Sequence, residues 1–549
     1  MKSPHRFLLL AGLANCLSGL ALAAEAAPPN IVLIFSDEMR PDYLGCYGGP
    51  YATPNLDRLA AEGLRFEQAY TAASACTPSR YSVLTGQYPG RAAAMEALFA
   101  QDEPYSIAWN TVIEGDRLTI PKLLARAGYV SGLFGKNHVT EIEAEQSLGL
   151  PPLPAGPPSD PAVERWLQAH QAELVRLLTS RLGFQEAGAI TYTNSEHIPH
   201  PALRHHNLPW ISALASDFLG RHAGQTPFFA FLTPTAVHGP WHPVQYEKDL
   251  RFTPGGFRPD VPQYQIPAAR MQARLEGLSS GQKHHTAGLA ALDQQVGVVL
   301  DTLERLGCLD ETLLIFTADH GVEPGKSGVY RFGNHVPLLM RWPERIPAGL
   351  VCRQLVAQVD LLVTLCGLAG LPLPPEQVWD GVDLSPLFSD PDTPVRDFIY
   401  TEMGHVRAVF DGRFQYAAFR YPARVVAELK GPGLERAPNH LGYPQVHAAL
   451  AAAHFPGYFD PDQLYDLEKD PYQLENRWHD PELAGVRARL RQGLREHTSS
   501  FAHAFPEEAD PFLVSEDYQR LVEAARREGP PEPAWESRDL DAISWPPVR

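Results

Sequence analysis

Two uninterrupted apolar runs limit what this chain can fold into. Asn30–Ser36 reads NIVLIFS and Thr312–Ala318 reads TLLIFTA, each without a charge and without polar alternation. Such runs are strands buried on both faces, as in the centre of a parallel sheet. Each stops abruptly at polar residues, Asp37-Glu38 after the first and Asp319-His320-Gly321 after the second. The carboxyl ends of central parallel strands form the edge at which open α/β sheets bind ligands. Carboxylates gathered there repel one another without a cation. Oxygen-rich ligation with one imidazole suits Ca2+, Mg2+ or Mn2+. Taken singly, strand-end acids are more often solvated; matching pairs on two strands favour the metal.

Further strands are expected at Tyr129–Phe134 and Pro227–Leu232. Thr53 can cap and Pro54 start a helix that Gly63 stops. Leu118–Ala127 reads as a helix ended by Gly128, and Val163–Leu182 as another helical stretch. Leu289, Leu292, Val296, Val299, Leu303 and Leu306 alternate spacings of three and four, an amphipathic helix feeding the 312–318 strand. Val359–Gly370 is helical, and from about 391 short strands appear at Asp397–Thr401, Arg407–Phe410 and Arg413–Tyr416. A chain of 549 residues suits one large α/β domain with a smaller one.

The net charge of −18 argues against nucleic acid or an anionic membrane as the main partner. An anionic substrate must then be met by a local cluster of cations. Residues 1–24 read as a signal peptide: Lys2 and Arg6 precede a short apolar run, with Leu20–Ala24 behind it. No later run is long and apolar enough to span a membrane, so a periplasmic or secreted protein is expected. Cys46, Cys308, Cys352 and Cys366 lack CxxC spacing, which does not indicate zinc; one disulfide remains open.

One stretch carries chemistry of its own. In Cys76-Thr77-Pro78-Ser79-Arg80, Pro78 fits the first turn of a helix and places Cys76 at the N-terminus, where the dipole favours negative charge. Arg80 adds a guanidinium suited to tetrahedral oxyanions. The bland alternative is a buried cysteine at a helix start.

Cys76-x-Pro78-x-Arg80, followed by Leu84-Thr85-Gly86 and Tyr88-Pro89, resembles the signature of the type I sulfatases. The resemblance implies an alkaline-phosphatase-like α/β fold, with a large mixed, mostly parallel sheet flanked by helices. It also implies a smaller C-terminal α+β subdomain with an antiparallel sheet, which Leu464-Tyr465-Asp466-Leu467 resembles. The expected division is a signal peptide at 1–24, a catalytic domain at 25–390, a C-terminal subdomain at 391–500 and an extension at 501–549.

In that family the cysteine is oxidised to formylglycine, whose hydrated aldehyde is the nucleophile. The resemblance makes Asp37, Glu38, Asp319 and His320 ligands of one divalent cation, most simply Ca2+, that also binds residue 76. Gly135-Lys136-Asn137-His138 is similar to the family's Gly-Lys-x-His motif, assigning Lys136 to the sulfate and His138 to proton transfer. His238 is the implied general acid, with His242 as the alternative; Lys326, before Tyr330 and Val336-Pro337, is a second sulfate-binding cation. Three departures stand out: Glu38 replaces the usual Asp, Asn137 the usual Trp, and the His320–Lys326 loop is short. The histidine-rich loop with His197, His200, His205 and His206 reads as solvated or substrate-side rather than metal-binding.

These expectations converge on an exported sulfatase acting on sulfated carbohydrates and matured by a formylglycine-generating enzyme. The alternatives are a phosphonate monoester or phosphodiester hydrolase of the same superfamily, and an inactive sulfatase-like glycan-binding protein.

Overall fold

The computed structural model describes residues 28–93, 107, 111–140, 148–239, 243–322, 324–326, 328–431, 451–503, 505–511 and 513–528. The expected signal segment 1–24 and His242 lie outside the described residues.

An eight-stranded sheet is built from β1 (Asn30–Ser36), β2 (Leu64–Phe66), β3 (Val130–Lys136), β4 (Glu186–Thr191), β5 (Phe228–Thr233), β6 (Thr312–Ala318), β7 (Leu338–Arg341) and β8 (Leu350–Cys352). Its order is β8-β2-β7-β6-β1-β5-β3-β4. β7 runs antiparallel to β6 and β2, and the other pairings are parallel. The sheet is therefore mixed and mostly parallel. β6 is buried at every residue and β1 at all but Asn30, which is why neither shows alternation in sequence.

The helices α1 (Pro54–Ala61), α2 (Cys76–Thr85), α3 (Pro161–Leu182), α4 (Leu208–His222), α5 (Ser280–Arg305) and α6 (Asp360–Leu368) belong to this part of the chain. α5 starts well before its apolar stripe because Ser279 and Gln282 form a reciprocal capping box. Leu118–Ala127 resolves into an α-helical turn, Ile120–Leu124, and a 3-10 turn, Ala125–Ala127.

At α1 the expected cap is replaced. The Thr53 hydroxyl accepts from the Gly45 N–H and donates to the Asp57 side chain, and makes no bond to the helix's free N–H groups. The free N–H groups of Asn55 and Leu56 instead donate to the Asp293 carboxylate, each at 3.0 Å, from α5. A buried carboxylate from a distant helix has taken the place of the local hydroxyl.

A four-stranded antiparallel sheet follows, in chain order: β9 (Ile399–Met403), β10 (Val406–Phe410), β11 (Phe414–Phe419) and β12 (Asp462–Asp466). It is completed by α7 (Ala484–Thr498), and α8 (Glu516–Glu528) lies beyond. The sheet is joined to the chain after α2: the Glu402 carboxylate accepts from the Gly90 N–H at 2.5 Å and from the Tyr400 hydroxyl at 2.8 Å. Asp380 accepts a two-pronged contact from Arg91 and a bond from the Tyr88 N–H. The Arg420 guanidinium, just past β11, donates to the Pro506 and Glu507 carbonyls and fastens that stretch to the end of the strand. The described cysteines are all free, so none of them forms the disulfide left open by the sequence.

Candidate active site

β1, β3, β4, β5 and β6 are mutually parallel, so their carboxyl ends open on one edge of the sheet. Asp37 and Glu38 follow β1, Lys136 ends β3, Asn194 lies beyond β4, His238 beyond β5, and Asp319 and His320 follow β6. Ser36 pairs with Ala318, so the two acid-bearing ends leave the sheet side by side. Backbone bonds then lock them: Asp319 N–H to Ser36 carbonyl at 2.9 Å and Met39 N–H to His320 carbonyl at 2.8 Å.

α2 begins at Cys76, and each of its residues is buried. The Ser79 hydroxyl donates to the Asp319 carbonyl at 2.5 Å, fixing the helix start against the end of β6. Two glycines permit the close packing. A Cβ on Gly135 would lie 2.3 Å from the Thr233 carbonyl oxygen, and one on Gly321 would lie 1.9 Å from that of Phe332. Each is a distance no side chain tolerates.

The result is a buried group of Asp37, Cys76, Asp319 and His320, with ligand atoms all within 4.8 Å of one another. Cys76 Sγ lies 3.1 Å from His320 Nε2 and 3.8 Å from an Asp37 oxygen. His320 Nδ1 donates to the Gly321 carbonyl at 2.7 Å, which turns Nε2 toward the cluster. Arg80 reaches Asp319 at 2.9 Å and Asp37 at 3.5 Å, and Lys136 Nζ lies 2.5 Å from Asp37.

Glu38 differs from expectation. It stands outside the four-residue group, because its longer side chain carries the carboxylate to Lys326 Nζ at 3.3 Å and His238 Nε2 at 3.4 Å. Its backbone is left-handed, at φ +56°.

His238 donates from Nδ1 to the Gly239 carbonyl at 2.9 Å. Its Nε2 is approached by Asn194 Nδ2 at 3.1 Å and Lys326 Nζ at 3.3 Å. His138 is buried, also left-handed at φ +57°, with its ring edge on Tyr192 and Nδ1 unbonded among the described residues.

Charge follows this geometry. Burial opposes ionisation of Asp37, but Lys136, His238 and Arg80 outweigh it and hold the carboxyl well below the ordinary range. Glu38 is likewise drawn down to about 2, with Lys326 and His238 overcoming burial. Burial and the neighbouring cations Lys136 and Arg80 keep His138 neutral, with its pKa well below the usual imidazole value. Burial also lowers that of His238, against the pull of Glu38.

His320 runs the other way: despite burial, Asp319 and Cys76 raise it to about 9. A pocket that retains a proton there, with Arg80 and Lys136 already present, stabilises added positive charge. Two carboxylates, an imidazole and residue 76 therefore fit a divalent cation.

Asn194 and Gln358 had no signal in the sequence. Gln358 donates to the Ala318 carbonyl and to Thr317 at 2.8 Å, steadying the end of β6. Asn194 lies just before the histidine-rich loop, where no periodicity or motif marks it. The solvated reading of that loop holds for His197, which is exposed, but not for His200, His205 and His206, which are buried. His206 binds the Thr235 hydroxyl at 2.6 Å and His200 accepts from the Ala202 N–H, so these rings fill structure and are not solvated.

The profile of the sulfatase family matches residues 29–371. Human arylsulfatase A is 31% identical over 512 residues, covering 87% of this chain and 89% of that protein. N-acetylgalactosamine-6-sulfatase of Canis lupus familiaris is 29% identical over 434 residues, covering 72% of this chain and 73% of that protein. Among solved structures, one in complex with its substrate D-glucosamine-2-N,6-O-disulfate superposes with a TM-score of 0.57 at 19% identity, covering 88% of this chain and 100% of that one. The phosphonate monoester hydrolase of Agrobacterium radiobacter gives 0.52 at 20% identity, covering 85% and 96%. These two establish the fold. Matched along most of its length by the sulfatases, the chain belongs to the sulfatase family and is a sulfuric ester hydrolase.

Proposed function

We propose that the protein is an exported sulfatase that hydrolyses sulfate esters of carbohydrates, with Cys76 oxidised to formylglycine by a maturation enzyme. The observation that carries this reading is the convergence of Cys76 with Asp37, Asp319 and His320 inside a ring of Arg80, Lys136, Lys326 and His238. Asp37, Asp319, His320 and residue 76 would hold a divalent cation, with Ca2+ the first choice for a carboxylate-rich set. Bound there, it supplies Lewis acidity toward oxygen. The hydrated aldehyde of formylglycine supplies the nucleophilic hydroxyl and a second hydroxyl through which sulfate is released.

The rest falls to the chain's own side chains. Arg80 braces Asp319 and Asp37 in place. Lys136 and Lys326 offer ammonium groups to the sulfuryl oxygens and offset the charge that grows on them. Glu38 sets Lys326 beside His238. The neutral His238 ring keeps its proton at Nδ1 on Gly239, so Nε2 must take up a second one before donating it to the leaving alcohol. An entering sulfate favours that imidazolium. His138 Nδ1 is unbonded among the described residues and is the proposed acceptor of the proton released as sulfate leaves; the bound anion offsets Lys136 and Arg80, which otherwise oppose its protonation.

The division into a catalytic domain at 25–390, a subdomain at 391–500 and an extension at 501–549 completes the reading, with export directed by residues 1–24. No helix among the described residues is long and apolar enough to cross a membrane. The substrate class is supported by the N-acetylgalactosamine-6-sulfatase relative and by the sulfated glucosamine bound as substrate in the similar structure.

The test compares an aryl sulfate and sulfated sugars with an aryl phosphonate monoester, using protein co-expressed with a formylglycine-generating enzyme and Cys76→Ala as control. Faster, Cys76-dependent sulfate release is expected, and the mass of the Cys76 peptide reports oxidation. Preferred turnover of the phosphonate would overturn the substrate class.

A further inference from the structure

Asn194 occupies the N-cap of a 3-10 turn, Ser195–His197, yet makes no capping bond with its side chain. Asparagine is favoured at such positions because its side chain serves the first free N–H groups. Here the amide is turned into the active site, 8% exposed, between two groups from other strands. Its Oδ1 accepts from Lys136 Nζ at 2.8 Å and its Nδ2 meets His238 Nε2 at 3.1 Å. An ammonium only donates, so the amide has one workable orientation: oxygen to Lys136, nitrogen to His238. The Gly239 carbonyl holds Nδ1 of the same ring, so the imidazole is gripped at both nitrogens.

We propose that Asn194 is a positioning residue that couples the sulfate-binding cation Lys136 to the leaving-group acid His238. The amide is a rigid strut with a donor and an acceptor on one planar group. In the resting site, where Nε2 is unprotonated and accepts from the amide, it sets the distance between the ammonium that meets a sulfuryl oxygen and the ring nitrogen that, once protonated, meets the ester oxygen. A sulfate ester presents those two oxygens at a fixed separation, so the strut matches the enzyme to the ester. Proton transfer is sensitive to ring placement. Sulfate binding, shared among Lys136, Lys326 and the rest of the site, is less so.

This inference rests on the roles of Lys136 and His238 given above, and the experiment separates the two. Phenyl sulfate and 4-nitrophenyl sulfate have nearly the same shape, but phenolate is the more basic leaving group and depends more on protonation. We expect Asn194→Ala to lower kcat on phenyl sulfate on the order of 100-fold and on 4-nitrophenyl sulfate on the order of 10-fold or less, with a higher KM on both. Asn194→Asp keeps the acceptor for Lys136 and loses the donor to His238. Its negative charge in an anion site should raise KM on both esters, so kcat carries the test: kcat should fall more on phenyl sulfate than on 4-nitrophenyl sulfate. Asn194→Ala added to His238→Ala should cost little more on phenyl sulfate than His238→Ala alone. Equal losses on both esters, or additive losses in the double variant, would overturn the role of Asn194 and leave the sulfatase reading standing. A mature wild-type protein that releases no sulfate from either ester or from the sulfated sugars overturns both.

Discussion

Arg80 sets Nε and Nη2 on a single oxygen of Asp319, at 3.2 and 2.9 Å, and the same Nη2 reaches Asp37 at 3.5 Å. One guanidinium thus braces the carboxylates from the ends of two adjacent strands. Lysine has the charge but not the fork. Arg80→Lys is expected to lower turnover by about 100-fold or more and to reduce bound metal, since a buried ion pair that loses its geometry costs about 3–5 kcal/mol. Activity and metal content measured together check this; wild-type turnover in the variant would refute it.

Removing the metal should stop turnover without unfolding the protein. Asp37 and Asp319 already face Arg80 and Lys136, so the site without a cation is not an uncompensated pair of buried acids. A chelator is expected to abolish sulfate release while far-UV circular dichroism stays unchanged, and added Ca2+ should restore the rate. Global unfolding on chelation would show that the four side chains do not balance.

Asp293→Ala should destabilise the protein by about 2 kcal/mol, because the partly buried Asn55 N–H and the buried Leu56 N–H at the start of α1 lose their acceptor. Thr53→Ala alters no capping bond at that helix, so its cost lies in the contacts with Gly45 and Asp57. Denaturant midpoints of the two variants test the assignment of the cap to α5.

Acid should weaken the fold before it protonates most carboxylates. Burial is the main cause that lowers His206 and His335 to about 3 and His205 and His454 to about 4. In the unfolded chain these rings titrate near pH 6.5. Their folded values are depressed, so the stabilisation is complete above pH 6.5 and is lost as pH falls toward 4, where only the unfolded chain takes up protons. Unfolding free energies measured from about pH 7.5 down to 5 should fall steadily below 6.5. A flat profile would mean that these rings are not buried neutral.

A chain ending at residue 390 is not expected to fold. It would lose Glu402, which takes the Gly90 N–H, and Tyr400, whose ring packs against Tyr88 at 4.7 Å. It would also lose Arg396, paired with the fully buried Asp360. Soluble expression with a cooperative thermal transition would show instead that residues 25–390 are autonomous.

Much of this protein is set by local sequence. β1 and β6 could be read from their apolar runs because a strand buried on both faces allows no polar alternation. α2 could be read from Pro78, and the side chains that gather at the sheet edge, Cys76, Asp37, Asp319, His320, Lys136 and Lys326, from short motifs at strand and helix ends. What the tertiary structure decided was which groups meet. Thr53 looked like a cap until α5 delivered Asp293 from 238 residues away. The extra methylene of Glu38 was visible, but only the placement of Lys326 and His238 shows where it carries the carboxylate. Asn194 had no local signature at all. Its contacts depend on β4 lying next to β3, with β5 on the other side of β3, since a hydrogen bond needs its partners within about 3 Å. That proximity is a property of strand order, which no window of sequence contains.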